Sequence, residues 1–140
     1  MENPRKKIAE FLKGEKLAVV STVGKDGAPE SAVVAFAETK GLEIVFGTSN
    51  TSRKHANLQK DPRVSFAIGW SFTGKKTVQY EGVASELSGK EAEKMAKALI
   101  AKNPSAAKFH ELPDQRYFIV KPTWIRYSDF KEGKNFEVRF

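Results

Sequence analysis

From Leu17 onward the chain consists of short runs in which apolar side chains alternate with polar or small ones, separated by Gly, Pro, Asn and Asp. "LAVVSTV" leads through the turn "GKDG" into "PESAVVAFA", and "GLEIVFGT" follows. A period of two in β-branched and small residues is that of strands with one buried face. Further on, "RVSFAIGW" alternates Val64, Phe66, Ile68 and Trp70 with smaller residues, and "TVQYEGVASEL" carries Gly82 where a bulge would fit. "RYFIVKP", "TWIRYSDF" and "NFEVRF" complete the series. Six or more strands joined mainly by tight turns, with no strand-helix-strand rhythm, predict a mainly β fold with peripheral α: an antiparallel barrel.

The helices sit at the margins. Asn3 can cap and Pro4 open a first one, with Ile8, Phe11 and Leu12 on one face and Gly14 as its stop. Ser88 and Glu91 have the spacing of a capping box, ahead of a face made of Ala92, Met95, Ala96, Leu99 and Ile100. The polar passage "KNPSAAKFHELPDQ" links that helix to the last strands.

At 140 residues the chain suits one domain, residues 1–140, and its 40% hydrophobic residues with ten Phe argue against disorder. No apolar run approaches the roughly 20 residues of a membrane span, and "MENPRKKIAEFLKG" lacks the apolar core of a signal peptide, so a cytoplasmic location is expected. With no Cys, and with His55 and His110 as the whole supply of imidazole, neither thiolate chemistry nor a transition-metal site is expected. The net charge of +7 favours anionic partners. Its basic residues are scattered among acids instead of forming a block, which argues against nucleic acid.

The stretch "TSNTSRKHANLQKDPRV" poses a charge conflict. Ser49 to Ser52 offer N-cap acceptors, and Leu58 with Asp61-Pro62 outline a short helix, so Arg53 and Lys54 fall in its first turn. The free amides there already carry about half a positive charge. An oxyanion would resolve the conflict: Arg53 can bind it through two donors, Lys54 adds a point charge, and hydroxyls and amides converge with them. Alternatively Ser52 merely caps, with both cations in solvent. His55 is expected on a solvated helix face without a catalytic role. In "SAVVAF", small side chains at alternate positions would admit a flat ring against the backbone, and core packing would account for them equally. Trp70, Trp124 and Tyr127 are more simply barrel or interface filling than a stacking platform, and Lys76, Thr77 and Gln79 lie at a strand mouth. No Gly-rich nucleotide loop, carboxylate pair or Ser-His-Asp set is evident, so any chemistry would fall to a bound organic cofactor.

With these motifs placed, the chain resembles the pyridoxamine 5'-phosphate oxidase family of flavin-binding split barrels, in particular its short general-stress-protein-like members. The resemblance runs over nearly the whole chain through "LAVVSTVGKDGAPESAVVAF", "GLEIVFGTSNTSRKHANLQKDPRVSFAIGW" and "TVQYEGVASEL", with "SRKHANLQKDPRVS" the most specific part. It implies a six-stranded antiparallel split β-barrel of Greek-key type and a homodimer with FMN in the subunit cleft. It puts the FMN phosphate on Ser52, Arg53 and Lys54, with Gly47 and Thr48 at the preceding strand end. Ala32, Val33, Val34, Ala35 and Phe36 would flank the isoalloxazine ring, largely through backbone groups, and Thr77 stands where the oxidase usually has a flavin-contacting glutamine. Trp124, Arg126 and Tyr127 lie in a strand from which the family draws residues onto the partner's flavin.

There are departures too. Ala32 and Ala37 replace an Arg and a Lys of the true oxidase, and the ending "KNFEVRF" lacks its Arg-x-His substrate motif, leaving no evident site for pyridoxamine phosphate. The resemblance therefore implies an FMN-dependent oxidoreductase with an unnamed small-molecule substrate and NADH or NADPH as candidate donor. A non-catalytic protein storing or sensing flavin, deazaflavin or haem is the alternative, with a small basic nucleic-acid-binding barrel third.

Overall fold

The computed structural model describes residues 3–71 and 73–140. Helix α1 (Pro4–Gly14) is capped by Asn3, whose Oδ1 accepts the N–H groups of Arg5 and Lys6 at 3.0 and 3.3 Å. Ile8 and Leu12, a helical turn apart, are fully buried in the main core, and the ring of Phe11 meets Tyr127 edge-on. Strands β1 (Leu17–Val23) and β2 (Pro29–Ala35) form a hairpin with Leu17 opposite Ala35. Its turn places Asp26 and Gly27 at φ 62° and 80°, a left-handed pair that Asp and Gly tolerate better than other residues.

The run expected as one strand, 29–37, breaks at Phe36. Beyond the break, β3 (Ala37–Glu38) leaves β1 and pairs with β4 (Ile44–Ser49). After helix α2 (Arg53–Lys60) come β5 (Arg63–Ile68), β6 (Lys76–Glu86), helix α3 (Gly89–Lys102), the single turn α4 (Ala107–His110), β7 (Gln115–Asp129) and β8 (Lys134–Arg139). The hydrogen-bonded order is β2-β1-β5-β6-β7-β4-β3, with β8 beside β7. The two ends of this order are joined in the chain by Phe36 alone, so the antiparallel sheet has to curl until its edges approach. The result is a split half-barrel. Six strands make its wall as expected, and β3 and β8 extend it.

The runs "RYFIVKP" and "TWIRYSDF" form one strand, not two. Opposite Gly82 the register steps from Glu81↔Trp124 to Gly82↔Pro122, so Thr123 is extruded and Pro122, which has no N–H, stands where the ladder is already interrupted. A Cβ on Gly82 would overlap the Lys121 carbonyl and lie 2.7 Å from Val120 Cγ1. Inside the curl, Phe46 stacks on Phe118 and meets Phe66 edge-on, and the fully buried Tyr80 shares its hydroxyl proton between the carbonyls of Leu42 and Val120, at 2.7 and 3.1 Å.

Helix α3 packs Ala96 and Leu99 against Ala37 and Tyr117, a second small core on the outer face of β3, β4 and β7. Ser88 stands at its N-cap, but its side chain makes no capping bond, and Gly89 enters at φ 57°, so the expected capping box does not form. Among the described residues no helix is long and apolar enough to cross a membrane.

Candidate functional site

The end of β4 and the start of α2 are tied together by hydroxyls. Ser52 caps α2, its Oγ accepting the His55 N–H at 3.1 Å and the Thr48 hydroxyl at 2.9 Å. Both of these bonds are accepted at the oxygen, so the Ser52 hydroxyl can still donate one. Ser49 donates to Asp114 Oδ2 at 2.6 Å, and the Asn50 N–H donates to the Asp114 carbonyl at 2.8 Å. Asp114, just ahead of β7, thus fixes the turn.

The two cations of the helix opening are treated differently. Arg53 is largely exposed, and its Nε lies 3.4 Å from Glu30 Oε1 on β2. Asn57, one turn further along α2, donates to the same oxygen at 2.8 Å and to Thr22 Oγ1 at 2.9 Å. Part of the missing anion is therefore internal. With a guanidinium side chain 77% exposed, that pair contributes no more than a few tenths of a kcal/mol. Lys54 is half-buried, no carboxylate among the described residues pairs with it, and desolvation lowers its pKa from the ordinary value.

Lys54 sits where two hollows meet. The larger, about 430 Å³, has Val33, Val34 and Ala35 on one side, Gly47, Thr48 and Ser49 on another, and α3, α4 and the residues before β7 on a third. The smaller, about 150 Å³, is lined by Val20, Thr22, Glu30, Ser31 and Ala32 together with Arg53 and Lys54. Of the residues singled out in the sequence, Val33, Val34, Ala35, Gly47, Thr48 and Lys54 share the larger hollow. Ala32 and Arg53 line the smaller, and Ser52, the cap of α2, lines neither. Gly47 leaves room here for the Gln115 side chain, which a Cβ would push aside, and a Cβ would lie 3.0 Å from the Tyr117 ring.

The others lie elsewhere. Phe36 is fully buried, with its N–H donated to Lys16, its carbonyl accepting from Asn103 at 3.0 Å, and the Lys102 ammonium 3.9 Å above its ring. Thr77, opposite Ser128, and Trp124, opposite Glu81, line neither hollow, and Trp124 donates its indole N–H to Glu137 at 2.8 Å. Arg126 shares the face of Trp124, and its buried Nε has no hydrogen-bond partner among the described residues. Tyr127 faces inward and belongs to the core. Trp70 does not continue the alternation of β5: it lies beyond the strand and is 55% exposed, because Gly69 at φ 91° turns the chain outward. Nor is His55 on a solvated face: its Nε2 lies 2.7 Å from Glu86 Oε1 and its ring meets Phe118.

Sequence reasoning missed Glu30, Asn57, Asp114 and the wall contributed by Leu99, Ala106, Phe109 and Leu112. Glu30 was within reach, since period two puts it on the same face as Ala32 and the buried Val34. The wall was not, because it comes from the polar passage that lacks any period.

A curled antiparallel sheet with a basic, hydroxyl-rich helix opening at the end of one strand defines a split barrel of the oxidase type. The chain belongs to the pyridoxamine 5'-phosphate oxidase family, whose model matches residues 4–129. A pyridoxine/pyridoxamine 5'-phosphate oxidase of Bacteroides fragilis is 29% identical over 75 residues, a match covering 54% of this chain but 32% of that protein. Among solved structures, a heme binding protein from Mycobacterium smegmatis superimposes with TM-score 0.87 at 19% identity, covering 99% of this chain and 59% of the other. A Clostridium acetobutylicum protein related to general stress protein 26 of B. subtilis superimposes with TM-score 0.76 at 16% identity, over 97% of this chain and 94% of its own.

Proposed function

We propose that this chain binds FMN in the larger hollow, with the phosphate seated at Ser52, Arg53 and Lys54, and acts as a flavin-dependent oxidoreductase on a small-molecule substrate. The observation that carries this is Lys54, a half-buried ammonium with no carboxylate partner among the described residues, beside the Ser52 cap and the amides opening α2. A desolvated, unpaired cation is a standing cost to the folded chain, and an oxyanion would relieve it. Family membership supports the choice of FMN. When bound, FMN supplies hydride transfer at its ring. The chain's part is to hold the tail through Lys54, Arg53 and Ser52, to offer Val33 to Ala35 as a flat wall, and to exclude water with the apolar residues of α3 and α4.

Assembly as a homodimer belongs to the same proposal. Val33, Val19, Ala67, Gln79 and Arg126 follow one another across the outer face in consecutive strand pairs. Val33 is 62% exposed. A second copy laid on this row would cover its apolar end at Val33, Val19 and Ala67 and bring a partner to the guanidinium of Arg126.

Haem binding or storage without turnover is the second reading, favoured by the fold shared with the Mycobacterium smegmatis protein. Both imidazoles of this chain are already engaged, His55 with Glu86 and His110 with Tyr117, which argues against ready axial ligation. An absorption spectrum of the purified protein separates the readings by flavin bands or a Soret band. Titration with FMN should raise its melting temperature, and replacing Arg53 and Lys54 together by Ala should weaken FMN by about 2–5 kcal/mol. Colourless protein whose melting temperature ignores FMN would overturn the proposal.

A further inference from the structure

Arg53 and Lys54 share their small hollow with a carboxylate that is held in place. Glu30 Oε1 takes the Asn57 amide at 2.8 Å and faces Arg53 at 3.4 Å. Its other oxygen occupies the space where a Cβ of Gly24 would go, and its Cδ lies 2.7 Å from that position. The side chain is 21% exposed. Gripped from α2 on one side and packed on backbone on the other, this charge cannot swing away when a ligand arrives. Within the small hollow, two cations face this one carboxylate.

Resting on the FMN reading above, we infer that Glu30 is a specificity-determining residue of the oxyanion seat, narrowing its electrostatic advantage for a doubly charged phosphate monoester over singly charged tails such as a phosphodiester or carboxylate. Each charge on the tail meets the Glu30 carboxylate as well as the two cations, so the carboxylate offsets more of the attraction of a dianion than of a monoanion. At a separation of about 6 Å and in a water-like dielectric, the carboxylate costs about threefold in affinity for each charge on the tail, hence about tenfold for a dianion.

The test is Glu30→Gln, in which an amide oxygen still accepts from Asn57 and the packing on Gly24 is kept. Dissociation constants are measured by flavin fluorescence for riboflavin, riboflavin 4',5'-cyclic phosphate and FMN near pH 8, where the monoester is doubly charged. Expected is no change for riboflavin, about threefold tightening for the cyclic diester and about tenfold for FMN. Equal changes for the diester and FMN, or weaker FMN binding, would overturn the inference while leaving FMN binding intact. Should the wild-type chain bind no flavin, the rise in melting temperature with inorganic phosphate is compared between the two proteins. A larger rise in E30Q then sustains the role of Glu30 while the FMN reading falls, and equal rises overturn the inference.

Discussion

Replacing Lys54 by Met should strengthen the ligand-free fold and weaken the ligand, two effects that an ordinary surface lysine would not show together. In the folded chain the ammonium is half-buried with no carboxylate partner among the described residues, and desolvation lowers its pKa from the ordinary 10.5. The unfolded chain therefore binds that proton more tightly than the folded one. Below the lowered pKa the penalty is present in full, and it is relieved as pH rises toward 10.5. Because the site is half-open and screened by water, the penalty is a few tenths of a kcal/mol rather than several. K54M removes it while keeping an unbranched stem of similar length. Urea unfolding at neutral pH should show K54M slightly more stable without ligand, and the advantage should shrink as pH is raised toward 10.5. On the binding side, losing one charge-assisted contact is worth about 1.5–3 kcal/mol, or about 10- to 150-fold in the FMN dissociation constant. A variant less stable than wild type that binds FMN within about twofold of it would refute the reasoning, for Lys54 would then be a packing stem and not part of a seat.

Two predictions concern the framework behind the site. Tyr80→Phe should cost about 1–2 kcal/mol in urea unfolding, since it leaves the Leu42 and Val120 carbonyls short of a donor in the driest part of the core. Gly82→Val should cost at least about 2 kcal/mol, because the atoms a Cβ would strike include the Lys121 carbonyl, and backbone at a paired bulge cannot move aside; an unchanged urea midpoint would contradict this.

Local chemistry made the ends of α1, β1 and α2 legible: Asn3 and Ser52 cap as their side chains allow, and period two marks the strands. What escaped was decided by distant residues. The break at Phe36 exists because Ala37 finds Val45 while Ala35 stays with Leu17, a change of partner that no local propensity encodes. Pro122 reads as a strand end until Gly82, far away in sequence, supplies the bulge that accommodates it. His55 reads as solvated until Glu86 and Phe118 close over it. The same holds at the site. The strand end and helix opening were visible as a motif, whereas the carboxylate that shares the seat and the wall that closes the hollow come from other elements.

The partition of charge at the helix opening links fold to function. Were the two cations only a tolerated accident, the simplest remedy would be a carboxylate for each, and Glu30 shows that the sheet can deliver one. It delivers one to the exposed Arg53, where pairing contributes least, and none to the half-buried Lys54, where it would contribute most. Asn57 and Gly24 then hold Glu30 where it is, out of pairing with Lys54. Such an arrangement is a poor solution for stability and a good one for a seat whose remaining positive charge must stay open to a ligand. Its upkeep falls on the buried residues behind it: Leu58 on α2 and Thr48 near the end of β4 anchor the helix opening against the sheet.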